Sequence, residues 1–470
     1  MFYSSVPVSP APSTGSCAST ITDDADVLQK KQTMMRQARC TLILALVAGF
    51  FLFVSGPEAE EPVFETFQSE HFVIQVQGRD KVLVDYALDA LESARPRLEE
   101  VLGVHYDKPV LVQIYPDRES FQRASGLSDK EIEVSNAIGI CRYGRVMLLT
   151  PEALAFGYSW LDTVTHEYTH FLINARTNYR CPLWLHEALA HSFEVMWRST
   201  TTAPMLALDE KLLYNASKSG SFVSFYKMRR GMPTLDTPEE VSLAYAEVKS
   251  ALEWIVKRWG ISAIPEILAE LSRQTNKDRA FKTAIGLSQK HIECEWRKYI
   301  SSLELKDFPG LRIRRLHLKE RDEVIDEISE YVPLDVQDYV RIGDKLRQFG
   351  KPDIAREEYK KALEEERYNP VVLAKIAKSY AEEALFEEAK KQYEEIAQVA
   401  PNYGRAYPDY GDVLMRLGEY DDAIVQYEHA IQVNPFNPHV HRQLVTLYKW
   451  KGDEQKLERE QKALSIILGK

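Results

Sequence analysis

The spacing of apolar and polar positions changes character three times along the chain. From Cys40 to Val54 the run CTLILALVAGFFLFV carries no charge, and it follows Lys30, Lys31, Arg36 and Arg39. Spanning a bilayer takes about 20 apolar residues, and this run falls short of that. A basic flank before it and the acidic stretch PEAEEP after it predict an export signal over 34–57 rather than a buried helix. Because Pro57 sits badly just after a cut at Gly56, an uncleaved membrane anchor through 40–56 stays open beside a cleaved signal peptide. Residues 1–33 are rich in Ser, Pro and Thr and have no period. They read as disordered, or as a stretch ahead of a start at Met34 or Met35.

From about Val63 the pattern becomes that of an α+β domain, placed at 61–305. FVIQV at 72–76 alternates like a strand, and PVLVQIY at 109–115 and RVMLL at 145–149 are β-type runs bounded by turn formers. Between them, 84–103 has helical spacing, with Pro96 as a candidate kink. After Thr150 nearly every segment is helical. A small sheet followed by helices builds one core with a cleft along its edge. Segment 306–335, dense in charge and ending near Pro333, reads as a helical linker.

The last third, 336–470, repeats every 34 residues: Ala355, Ala389 and Ala423 share one position, Tyr359, Tyr393 and Tyr427 another. Gly350, Gly418 and Gly452 keep the same frame, with Ala384 in place of glycine, and Pro401 and Pro435 close repeats. This resembles the tetratricopeptide pattern, in which the small residue sits where paired helices touch and the aromatic packs between them. Four units fit. The fourth has Leu457 and Gln461 at the small and aromatic positions, as expected of a capping unit that faces solvent. Stacked repeats of this kind imply a protein partner, with the tyrosines spent on the core.

Of the 470 residues, 45% are apolar and 27% charged, which excludes a disordered chain. A net charge of -11 without a basic patch excludes a nucleic-acid binder. Five cysteines without CxxC spacing exclude a zinc ribbon and a disulfide scaffold. Cys141 and Cys181 could pair to staple a strand to the turn before Glu187; the alternative, slightly favoured, is three separate buried thiols at Cys141, Cys181 and Cys294.

Within LDTVTHEYTHFLINA stands His166-Glu167-Tyr168-Thr169-His170, an HExxH arrangement. Residues four apart on a helix share a face, so both imidazoles can ligate one metal while Glu167 reaches a water beside it. A second helical stretch, PLWLHEALAHSFE, opens at Pro182. If the chain turns around Asn178 to Pro182 and runs back, Glu187 comes against the two histidines. A His2Glu set with one open position results, which is the arrangement of a catalytic zinc site.

Together HEYTH and WLHEALA resemble the gluzincin metallopeptidases, in particular the peptidase-MA-like family, over roughly 63–300. The resemblance implies one Zn2+ per chain held by His166, His170 and Glu187, with Glu167 as general base and Tyr245 as the donor to the developing oxyanion. Ala188 departs from the family's usual glycine and puts the helix spacing in doubt. A metzincin is excluded, since Ile173 and Arg176 occupy the positions where that pattern requires Gly and His. His191 reads as an outer partner of the ligands or an alternative ligand, His186 as structural or at the cleft rim, and Asn174 as an orienting group or a helix cap.

The expected architecture is therefore α+β: a small, mostly antiparallel sheet and helices forming a zincin-type metallopeptidase domain, then an all-α repeat solenoid. The expected function is zinc-dependent hydrolysis of peptide bonds by an endopeptidase of the cell envelope, the repeats recruiting substrate or partner. The competing reading is a non-catalytic repeat scaffold whose zinc site is structural or vestigial.

Overall fold

Strand β1 (Glu65–Gln68) runs antiparallel to β2 (Phe72–Val76), and the computed structural model describes residues 63–135, 137–313 and 326–469. The expected segments 1–33 and 34–57, with the apolar run, and 314–325 of the expected linker lie outside the described residues. Among the described residues no helix is long and apolar enough to cross a membrane.

After β2, helix α1 (Val82–Leu102) crosses over the sheet and delivers β3 (Val110–Tyr115) parallel to β2. Helices α2 (Arg118–Ser125) and α3 (Asp129–Ser135) lead to the hairpin β4 (Gly139–Arg142) and β5 (Arg145–Leu149). The order β1-β2-β3-β5-β4 makes the sheet mixed, not mostly antiparallel as expected: β2, β3 and β5 are parallel and only the two edge strands run opposite. The reason is covalent. A 21-residue helix between β2 and β3 returns the chain to the same end of the sheet, and such crossovers join parallel strands.

One face of the sheet is buried under α1 and α4 (Trp160–Thr177). Phe72, Ile74 and Val76 of β2 alternate inward, and Leu83, Ala87, Leu91, Ala94 and Leu98 of α1 repeat at helical spacing to meet them. Asn178 and Tyr179 then take positive φ of 50° and 60°, a reversal that sends α5 (Leu183–Phe193) back along α4. Helices α6 (Ala207–Ser219), α7 (Pro238–Trp259), α8 (Ala263–Arg273), α9 (Lys277–Ile285) and α10 (Gln289–Ser302) complete this part.

A short helix α11 (Glu327–Tyr331) precedes four helix pairs: α12 (Leu334–Gln348) with α13 (Pro352–Glu365), α14 (Pro370–Glu382) with α15 (Phe386–Val399), α16 (Ala406–Leu417) with α17 (Tyr420–Val433), and α18 (Pro438–Lys451) with α19 (Glu454–Ile467). The 34-residue period is a packing period. A Cβ on Gly343 would lie 2.4 Å from the Tyr359 ring, and one on Gly411 2.5 Å from the Tyr427 ring, so the small residue of each first helix makes room for the tyrosine of the second. Tyr359, Tyr393 and Tyr427 are buried, as expected of core.

The fourth unit does not face solvent as a cap would. Its helix α19 docks on α1: Lys462 and Arg459 pair with Asp85 and Asp89, and the fully buried Glu460 accepts from the Tyr86 hydroxyl at 2.8 Å. His441 Nδ1, 2.7 Å away, and Arg459 Nε, 3.2 Å away, serve the same carboxylate, so the buried charge is fully partnered. Two neighbouring second helices dock as well, α15 on α6 and α17 on α4. The last turn of α17 leaves carbonyls with no partner in its own helix. Those of Ile431 and Val433 are satisfied across the boundary, by Trp160 Nε1–H at 3.0 Å and the Tyr158 N–H at 3.2 Å.

Gly157 permits that approach, since a Cβ there would lie 2.1 Å from the Val433 carbonyl oxygen, and its φ is +64°. Gly144, in the β4–β5 turn at φ +71°, has open space around it. Gly144→Ala is therefore expected to cost about 1–2 kcal/mol of backbone strain. Gly157→Ala should lower the melting temperature further and open the repeats to limited proteolysis while Gly144→Ala does not; equal behaviour of the two in thermal unfolding and proteolysis would refute this account of the contact.

Candidate active site

Helix α4 presents His166 and His170 one turn apart, their ring centroids 4.6 Å from each other and their planes at 90°. Antiparallel α5 brings Glu187 to them: its Oε2 lies 3.7 Å from His166 Nε2 and 3.5 Å from His170 Nε2. Neither distance is that of a good hydrogen bond. The second is near, and the first somewhat longer than, the tetrahedral edge of about 3.3–3.4 Å that follows from metal–ligand bonds of about 2.0–2.1 Å to nitrogen and oxygen. These three residues form a group able to hold one cation. Ala188 is fully buried, and the departure from glycine there leaves the three donors together.

Glu194, seven residues past Glu187, was not expected at the site. Its Oε2 is 3.3 Å from His166 Nδ1 and 3.1 Å from His191 Nδ1, so it turns the His166 ring to aim Nε2 at Glu187. A signal was available, because a seven-residue spacing is two helical turns and returns to the same face. Burial disfavours its charge, yet His191 and His166 hold its pKa below the ordinary carboxylate range. His166 is pushed up to about 10: burial lowers it, and Glu187, Glu194 and Glu167 outweigh that. Three carboxylates around one imidazole thus create a field that calls for a positive charge, which the donor set fits.

Behind His170, the His186 ring stacks at 4.4 Å and 13°, and its Nε2 lies 3.1 Å from Asn174 Oδ1. Asn174 therefore orients His186, which braces His170, and the left-handed cap of α4 is Asn178. Burial and the neighbouring His170 hold the His186 pKa well below its ordinary value, so this ring is neutral. Among the described residues His170 Nδ1 is buried without a hydrogen-bond partner, and the ring is held by the His186 stack beside Glu187 and His166.

Glu167 points the other way, toward the edge strand. A Cβ on Gly139 would lie 2.9 Å from its Cγ and Oε1, and the Cys141 N–H donates to its carboxylate. Leu149 N–H bonds Ile138 C=O, so by alternation Ile140 faces β5 while Gly139 and Cys141 face the cleft. Burial raises the Glu167 pKa, opposed by His170 and His166, so its carboxylate holds a proton more readily than an ordinary one. On α7, the Tyr245 ring lies edge-on to His191 at 4.4 Å. Burial, then Glu187, Glu167 and Glu194, push its hydroxyl pKa well up and keep it a donor. His166, His170, Glu187, Glu167 and Tyr245 all line one cavity of about 700 Å³.

The described cysteines are free: Cys141 and Cys181 are unpaired and partly buried, and Cys294 is exposed instead of buried. Cys141 lies in the cavity, with its thiol pKa raised by burial and by Glu167.

Comparison with known proteins places the whole site inside one family match. Residues 90–302 match the Peptidase MA superfamily and 411–449 match the TPR repeat. The chain carries a Peptidase MA superfamily domain followed by a TPR repeat. Curated relatives are repeat proteins by name: a TPR repeat-containing protein of Methanocaldococcus jannaschii is 38% identical over 74 residues, 15% of this chain and 13% of that protein. Small glutamine-rich tetratricopeptide repeat-containing protein 2 of Mycosarcoma maydis is 28% identical over 95 residues, 20% and 27% of the two chains. The chain thus spans a minor part of either relative. Among solved structures, the first TPR of Spaghetti bound to an HSP90 peptide is similar at 23% identity and TM-score 0.24, over 25% of this chain and 95% of that one. The Sgt2 TPR domain from Aspergillus fumigatus is similar at 21% identity and TM-score 0.25, over 27% and 84%.

Removing the Asn174 side chain leaves the buried His186 N–H without its acceptor, a loss of about 1–3 kcal/mol. Asn174→Ala is expected to lower thermal stability by that amount with the fold retained, and an unchanged melting temperature would show that the pair contributes nothing.

Proposed function

We propose that this chain is a zinc-dependent endopeptidase of the gluzincin type, exported to the cell envelope, whose repeats engage protein. What carries the reading is the approach of two Nε2 atoms to one carboxylate oxygen at 3.7 and 3.5 Å, inside a Peptidase MA superfamily match. His166, His170 and Glu187 would hold the ion, which when bound lowers the pKa of a coordinated water and polarises a carbonyl.

The chain's own groups do the rest. The Glu167 carboxylate, its pKa raised, takes the proton of the attacking water and returns it to the leaving amine. The Tyr245 hydroxyl donates to the oxygen on which negative charge develops. A polypeptide laid along β4 meets the outward carbonyls of Gly139 and Cys141, the Cys141 N–H being bonded to Glu167, on a strand that among the described residues pairs with β5 alone, so strand addition orients it. The charge-free run from Cys40 to Val54 after a basic flank supports export.

Elemental analysis should find near one zinc per chain and far less in Glu187→Ala. Glu194→Ala should weaken zinc binding by about 10- to 100-fold. Glu167→Gln should keep its zinc and lose hydrolysis of an unfolded protein by roughly 100- to 10,000-fold. Absence of zinc after supplementation, or full activity of Glu167→Gln, would reject the reading and leave a repeat scaffold with a vestigial site.

A further inference from the structure

The cavity that holds His166 and Glu167 is not walled by the Peptidase MA superfamily domain alone. Tyr331, at the end of α11, and Asn402, in the loop between α15 and α16, line it too. Both lie outside the matched segments 90–302 and 411–449. Opposite them, Leu154, Phe156 and Tyr158 belong to the segment that leads into α4, and the Phe156 and Tyr331 rings meet edge-on at 5.3 Å. The Arg405 guanidinium lies 5.4 Å from the Phe156 ring and pairs with Glu327 at 3.2 Å, which also accepts from the Tyr403 hydroxyl at 2.7 Å. Asn402 Oδ1 accepts from Ser159 Oγ at 3.3 Å, at the residue before α4 begins.

This junction is rigid for a physical reason. The segment 156–160 supplies the two N–H groups that satisfy the Ile431 and Val433 carbonyls of α17. Detaching it would leave a buried indole and two helix-end carbonyls unpaired. The repeat array is therefore fixed against the segment that leads into α4, and Phe156, Tyr331 and Asn402 are among the residues that line the cavity.

We propose that the repeat array, together with helix α11 that precedes it, supplies one wall of the substrate cleft, where Tyr331, packed on Phe156 of the segment leading into α4, seats an apolar side chain of the polypeptide and Asn402 engages its backbone. The repeats then select substrate at the active site itself and not only at a distant groove. This rests on the peptidase reading above. Apolar rings set the class of side chain, and an amide can both donate to and accept from a peptide group.

The test uses the full chain carrying Glu167→Gln, a photo-crosslinking amino acid at one position, and unfolded casein as the probe. Ile138 reports the strand side of the cleft, Tyr331 and Asn402 the repeat side, and Phe349 the exposed array surface outside the cavity. Casein captured from 138, 331 and 402 but not from 349 is the expected result. Capture from 138 alone overturns the wall, and equal capture from 349 shows unspecific adhesion and overturns it as well. Capture from none of the four rejects the peptidase reading, and the wall falls with it. In the otherwise unmodified protein, Tyr331→Ala should keep its metal content by elemental analysis. Its cleavage of casein beside large apolar residues should fall by about 10-fold or more relative to other sites. Retained metal with an unchanged fragment pattern would overturn the assignment.

Discussion

Everything at the site depends on bringing Glu187 against two imidazoles carried by a different helix. A carboxylate buried among apolar side chains is costly unless cationic or hydrogen-bonding groups meet it. Here α4 and α5 run antiparallel, and the reversal at Asn178 and Tyr179 uses the left-handed region twice in succession. That strain is local and is offset by burial of α4 against the sheet and of α5 against α4 and α7. The outer ring of groups follows: Glu194 and His191 on one side of His166, His186 and Asn174 behind His170.

Much of this could be read from residue types and spacing. The HExxH helix, the return of Glu187, three of the five strands and the 34-residue repeat each rest on a local period, which the chain states directly. What was hidden depends on tertiary contact. Strand β4 is short and carries Cys141 and Arg142, so no alternation marks it; its signal was the two-residue turn Tyr143–Gly144, both at positive φ, which favours a hairpin. The parallel pairing was concealed because strand direction follows from where a crossover helix packs, not from the strands. Glu194 was overlooked because it stands at the end of α5, where a carboxylate more often faces water.

The terminal repeat shows the same limit in a different form. Leu457 and Gln461 break the small and aromatic pattern, and the break was legible, but its cause was not. Loss of a repeat's packing residues can mark a face turned to solvent or a face turned to another part of the protein. Glu460, His441 and Tyr86 decide for the second, and their burial is visible only once residues 374 apart are brought together.

Those separations also bear on the order in which the protein is made. Trp160 and Ile431 are 271 positions apart, and bonds across such intervals form late because much chain must be ordered first. While the chain emerges from the ribosome, α4 and its histidines are complete long before α17 exists to hold the segment leading into them. The cleft acquires its second wall only when the repeats have folded. A cleft assembled this way stays incomplete through the chain's own synthesis, when unfolded polypeptide, including its own, is nearest at hand.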